Sequence, residues 1–433
     1  MRIRNGAIVV MGLLAALTLN ACGGGGEEGG EDPKIRLLNL SAGYTALDLL
    51  TNLDSDDDDE DETQATGVAL ETVSSYTTLD PDDYTVKVRR TGAGSVLRSF
   101  AGEDLTEDTI NTYVAYGEVG NFGALRIDDT LDAADAGDSK LSVANVSSAG
   151  ALDVYLTDAT TDLDDTTPVL SSVGAALSLV IADSGSFRLR VTAAGDTSDV
   201  RLDVPNFTLA DKGVATLILT STQGGMLANA IFLPQEGQPT KYANTKARLR
   251  GAVGLANGAN ASIQVGGQSV LSAATAGVIG SRYTLLDAGS VPVALAVNGT
   301  AVPVANLNLT AGADFTLLVW SNANGAQTSL VNDDNRLPSG GTKLRLLNGM
   351  STLAAPITLS VDFSPVIEGT QTGQVSDEIE ITSGTDRQFD VSNTSTAQNL
   401  LTRSSITLQS SSVYTFFMTD NGATPIGVLR RDR

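Results

Sequence analysis

The sequence predicts an all-β protein: a row of immunoglobulin-like antiparallel β-sandwiches behind an N-terminal export signal. Three observations predict it. The chain has 433 residues of which 42% are hydrophobic but only 5% aromatic, with 44 Gly. That composition suits several cores built from short strands and turns rather than long helices. Strand-like segments recur along the chain, the signature of repeated units. In the middle strands apolar and polar residues alternate, and no 3.6-residue period appears.

The first element is the export signal. Arg2 and Arg4 precede an uncharged, mostly apolar run over residues 6–19. As a helix that run reaches only about 21 Å, short of the ~30 Å hydrocarbon core, so its length and flanks suit a cleaved signal rather than a membrane span. The run ends in Leu19-Asn20-Ala21-Cys22, which resembles a bacterial lipobox. The resemblance implies lipidation of Cys22 and cleavage before it, giving residues 1–21 as signal peptide. A lone free thiol is the other reading of Cys22; its place at the end of the apolar run favours lipidation. Acyl chains contribute about 0.8 kcal/mol per buried CH₂, so the expected partner is a membrane, held through the anchor. Gly23 follows Cys22 where an Asp would signal inner-membrane retention, so the expected location is the cell envelope, at the outer membrane rather than the inner. Residues 22–33, rich in Gly and Glu, form a flexible tether.

Four units follow, at 34–138, 139–243, 244–340 and 341–433. Each opens on a related strand: Lys-Ile-Arg-Leu-Leu-Asn at 34–39, Lys-Leu-Ser-Val-Ala-Asn at 140–145, Lys-Ala-Arg-Leu-Arg-Gly at 246–251 and Lys-Leu-Arg-Leu-Leu-Asn at 343–348. Aligned this way, Gly251 stands where the other copies have Asn, and both residue types suit a turn. A middle strand alternates apolar and charged residues, as in Tyr84-Thr85-Val86-Lys87-Val88-Arg89 and Phe187-Arg188-Leu189-Arg190-Val191, the pattern of one buried and one wet face. The closing strands, at 112–116, 215–219, 315–320 and 414–418, are apolar on both faces and read as partly covered central strands. Several such strands per unit of ~100 residues read as a sandwich.

The stretch Asn145-Val146-Ser147 followed by Leu152-Asp153-Val154-Tyr155 resembles the opening of a bacterial domain family of unknown function common in surface lipoproteins. Leu40-Ser41 with Leu47-Asp48-Leu49 matches in the same order. Both copies lack the family's usual Pro, and the third and fourth units lose the Leu-Asp pair. The resemblance implies a fold and an envelope location, and no activity.

Charge and chemistry narrow the function. A formal charge of −24 repels phosphate backbones, so no nucleic-acid partner is expected. The chain has no His and one Cys, which removes His-based acid–base catalysis, nucleophile–His pairs and disulfides within the chain. The sharpest local feature is the acidic run over 54–62, and Asp158, Asp162, Asp164 and Asp165 occupy the equivalent loop of the second unit. Asp54, Asp56 and Asp58 match the start of a Ca²⁺-binding EF-hand loop, but Asp59 stands where Gly is required and Ala65 where the bidentate Glu belongs. Two readings stay open, a Ca²⁺ site and a solvated, self-repelling loop, and the broken pattern favours the second. Consecutive carboxylates make no dry pocket with split pKa values, so a glycosidase is not indicated. The aromatics Tyr113, Tyr116, Tyr155, Phe315, Trp320, Tyr414, Phe416 and Phe417 suit core packing better than a sugar platform. No cofactor and no catalytic residue are expected. The reading is a non-enzymatic, lipid-anchored envelope protein whose sandwiches act as adhesion, interaction or spacer modules toward an envelope or surface protein; the alternative is a surface module binding a glycan or Ca²⁺.

Overall fold

Alternating burial along the chain dictates sheets, and among the described residues there are strands and no helix. The computed structural model describes residues 30–54, 60–353, 355–422 and 424–433. The strands sort along the chain into four successive pairs of facing sheets. In the first, Lys34–Leu40 and Ile110–Glu118 lie side by side in one sheet, while Ala46–Leu53 and Asp82–Arg90 lie in the other. Between them sit Ile35, Leu37, Leu47, Leu49, Val86, Val88 and Tyr113, all buried. The same plan, with its own core, recurs around Asp138–Asn145, Lys246–Gly254 and Thr342–Asn348. The third unit carries an additional two-stranded sheet, Gly289–Val291 with Leu307–Leu309.

The expected sandwiches are present, but one sheet of each is mixed rather than purely antiparallel, which corrects that detail. Each opening strand runs parallel to its closing strand: Arg36 opposite Thr112, Ser142 opposite Thr216, Arg250 opposite Thr316 and Arg345 opposite Thr415. Parallel neighbours need a long crossover. Here the whole second sheet is that crossover, since the chain leaves after the opening strand, builds the facing sheet and returns beside its start.

The pairings also shift the third repeat by two residues relative to the sequence alignment. Arg250, not Arg248, occupies the place of Arg36, and Val253, not Gly251, the place of Asn39. Residues two apart on a strand share a face, so either Arg satisfies the apolar pattern. The hydrogen bond to the closing-strand Thr chooses Arg250.

The closing strands are apolar on both faces because both faces are covered. One side meets the unit's own core; the other meets the unit it is paired with, one with two and three with four. Leu38, Leu40, Val114 and Ile127 of the first unit pack on Ile218, Ile231 and Leu233 of the second. Ala252, Ile279, Leu318 and Val331 of the third pack on Leu347 and Phe417 of the fourth. Equivalent positions meet in both contacts: Leu38 and Leu347 sit opposite closing-strand Val114 and Phe417. The chain thus forms two blocks, each four sheets deep.

Candidate functional site

The residues that carry the repeat signature hold backbone. Asn39 donates to the carbonyls of Tyr44 and Val68 and accepts from the Ser41 amide. Asn145 does the same with Gly150, Val173 and Ser147, and Asn348 with Thr370 and Met350. The signature aspartates are engaged in the same way. Asp153, 5% exposed, accepts the amides of Ser172 and Gly195 at 2.8 Å each. Asp48 accepts the Gly67 amide and the hydroxyls of Thr66 and Thr91. Burial works to raise the Asp48 pKa, but those bonds, with Arg89 beside it, outweigh burial and hold it below the usual carboxylate value. These buried carboxylates are themselves satisfied by backbone amides at a turn and an irregular strand pairing, which is a structural task.

A second recurring arrangement crosses the unit boundaries. In the third unit Arg250 Nε–H donates to Thr316 Oγ1 at 2.9 Å, and the Thr316 hydroxyl donates to Asp333 at 2.6 Å. In the fourth, Arg345 Nε–H donates to Thr415 at 2.8 Å, and Thr415 donates to Asp432. The outer guanidinium nitrogens are exchanged: Arg345 reaches Asp333 at 2.7 Å, and Arg250 reaches Asp432. All four charged side chains are essentially buried. Burial works to raise Asp333, but Arg345 and Arg250 outweigh it and hold the carboxyl below its ordinary value. The first block keeps only half of this device. Arg36 donates to Thr112, and Thr112 to Asp129, but Ser142 and Gln235 stand where the second unit would need Arg and Asp. Arg36 therefore reaches the Gly237 carbonyl at 2.8 Å instead. With one guanidinium beside it, Asp129 is pushed up by burial despite its hydrogen bonds from Thr112 and Tyr76.

Beside the reciprocal pair, where units two, three and four meet, lies a cleft of about 290 Å³ whose lining includes six arginines, Arg201, Arg248, Arg250, Arg282, Arg430 and Arg431. Three strands from distant parts of the chain supply most of them: Asp196–Leu209, Lys246–Gly254 and Pro425–Arg431. Arg248 grips Asp314 with two bonds of 2.7 Å. The guanidinium carbons of Arg248 and Arg250 sit 4.6 and 4.9 Å from the centre of the Tyr283 ring, a favourable stacking of cation on π-face. Tyr283 in turn donates to Asp333 at 2.6 Å. Arg201, 4% exposed, donates to the Met226 carbonyl and to Asp199. Its pKa is lowered, by burial first and then by Arg248. Sequence patterning does not reveal this cationic cleft. Its one trace there is local: Arg248 and Arg250 interrupt an apolar strand, and Arg430, Arg431 and Arg433 cluster in a chain with 51 acidic and 27 basic residues.

Cys22, Asp56 and Asp58 lie outside the described residues. Asp54 is described and accepts from Thr85 Oγ1 at 2.7 Å, with its amide on the Asp83 carbonyl. In the equivalent loop of the second unit, Asp162 accepts the Asp164 amide, and Asp164 accepts from Thr197. Among the described residues no group of three acidic, His or Cys side chains is placed to hold a metal ion. Of the aromatics, Tyr113, Phe315, Tyr414 and Phe416 are buried in the cores and Phe417 between units, Tyr155 is buried, and Tyr116 and Trp320 are partly buried.

No curated protein matches the chain significantly. A solved structure, CBMbc (family CBM26) from Eubacterium rectale Amy13K in complex with maltoheptaose, is similar at 9% identity and a TM-score of 0.16, covering 43% of this chain and 92% of its own. So loose a superposition transfers nothing about a ligand. Residues 33–155 match the family model of a domain of unknown function, DUF4397, and the match ends on the Leu-Asp-Val-Tyr signature of the second unit.

Proposed function

We propose that this chain is a non-enzymatic, lipid-anchored cell-envelope protein whose sandwich units serve as adhesion, interaction or spacer modules. The observation that carries the reading is the pairing of units across apolar sheet faces, which favours stiff, extended blocks able to present surface and sheet edges to a partner. The buried carboxylates fit the same reading, because Asp48, Asp153, Asp314 and Asp333 each have hydrogen-bonding partners within the fold. Anchoring rests on the lipobox-like sequence at Cys22, and outer-membrane placement on Gly23 after it. Replacing Cys22 by Ser is expected to move the protein from the membrane fraction to the soluble fraction. Retention in the membrane fraction would overturn the anchor, and protection from protease added to intact cells would overturn a surface role in favour of a periplasmic one.

A further inference from the structure

We infer that the arginine cleft between units two, three and four is a binding site for a small oxyanion, a phosphate or carboxylate group, independent of how the chain is anchored. The charge balance of the cleft carries the inference. Arg201, Arg248 and Arg250 are each matched by a carboxylate, Asp199, Asp314 and Asp432 respectively. Arg282 and Arg430 have no aspartate or glutamate within 4.0 Å among the described residues, Arg430 donating to the Ser281 carbonyl, whereas Arg431 is engaged by the Arg433 main-chain oxygen at 3.0 Å and by Gln409. The remaining acidic lining group, Asp196, accepts from the amide and hydroxyl of Ser198 and is also favoured as the anion by Arg282. Cationic charge is therefore in surplus, inside a chain of −24 overall.

Two further observations point to an absent acceptor. The Nε atoms of Arg201 and Arg430 are buried with no hydrogen-bond partner among the described residues, although guanidinium N–H groups withdrawn from water ordinarily find one. Next to the cleft, Arg433, which donates to the carbonyls of Gly225 and Asn335, is pushed down to about 10 by burial and by Arg201 and Arg248. A bound anion relieves that mutual repulsion. Guanidinium forks match the oxygens of phosphate and carboxylate, and about 290 Å³ lies just below the usual range of small-molecule sites. The acidic remainder of the surface repels polyanions, so only a small anion gains from local contacts without suffering the long-range field.

Calorimetric titration of the whole chain tests the inference, with inorganic phosphate and glucuronate as probes and chloride at matched ionic strength as control. Binding of phosphate or glucuronate with a Kd of about 1 mM or tighter, and none of chloride, is expected. Phosphate alone identifies a free ion as the ligand, and tighter glucuronate binding identifies an acidic sugar. The Arg282→Gln/Arg430→Gln variant should weaken binding at least about tenfold, the loss of one charge-assisted contact, while Arg98→Gln on the exposed face of the first unit leaves it unchanged. Absence of heat with both probes on the unaltered chain overturns the site whatever the variants do. Equal affinity in a folded double variant overturns it too.

Discussion

Removing Asp333 tests the exchange of charges between units three and four. Its carboxylate accepts from Arg345 at 2.7 Å, from Thr316 at 2.6 Å and from Tyr283 at 2.6 Å, with Arg250 Nε at 3.7 Å. In Asp333→Ala the Tyr283 and Thr316 hydroxyls lose their acceptor, and Arg345 is left buried with only the more distant Asp432 carboxylate at 3.6 Å. Breaking one side of a buried ion pair costs about 3–5 kcal/mol, and the orphaned hydroxyls move the figure toward the upper end of that range. The assay is built in. Trp320 is the one tryptophan of the chain, and it packs at the contact between these two units. Urea unfolding followed by Trp320 fluorescence is expected to show the variant less stable by about 3–5 kcal/mol. A cycle with Arg345→Met should give a coupling of at least about 1 kcal/mol, since the two side chains touch. A loss below about 1 kcal/mol, ordinary for any substitution, or additive effects in the cycle, would refute the exchange as a source of cohesion between the units.

Three other outcomes are expected. Asp153→Ala removes the charged acceptor of the Ser172 and Gly195 amides and should cost about 1.5–3 kcal/mol, the range for bonds to a charged group; Asp153→Asn, which keeps one acceptor, should cost less, as read from thermal unfolding. Gly373 has φ 78° and its Cβ would overlap the Trp320 ring of the neighbouring unit, so Gly373→Ala should shift Trp320 emission and lower stability by more than the ~1–2 kcal/mol of the left-handed backbone alone; an unaltered spectrum counts against the contact. Asp334 provides a pH test: burial works to raise it, but hydrogen bonds from Arg336 and Lys343 outweigh burial and hold it down to about 2. A depressed carboxylate stabilises the fold above its unfolded pKa near 3.8 and loses that contribution as pH falls toward 2. The stability gap between the unaltered chain and Asp334→Asn, at most about 2.5 kcal/mol, should therefore close between pH 4 and 2; a gap constant across that interval would contradict the assignment.

Much of the fold was legible because strand periodicity is a local property. Tyr84, Val86 and Val88 alternate with polar neighbours, and they are the buried residues of their strand. The all-apolar closing strands were equally visible, but a single sequence does not say what covers the second face; the answer, a neighbouring unit, is a contact between residues such as Val114 and Ile218 more than a hundred positions apart. The parallel pairing stayed hidden for the same reason, since a strand covered on both faces reads as an apolar run whichever direction its neighbour takes. The two-residue offset of the third repeat hid behind the equivalence of Arg248 and Arg250 on one face. Of the candidate site, the aspartates of the Leu-Asp signature were seen but their partners, backbone amides at 172 and 195, were not. The arginine cleft was illegible because its charges converge from three segments separated by tens to hundreds of residues, and net charge pointed the other way.

The pairing of units sets a rule of parity. Each unit has one sheet whose outer face is apolar, and it is satisfied by one other unit and no more. An added single repeat would carry an uncovered face with the character of Leu38, Val114 and Ile127, the sort of surface that drives association. A chain of this design therefore lengthens safely in steps of two, and a fragment cut between 128 and 138 would dimerise or precipitate where one cut after a complete pair would not.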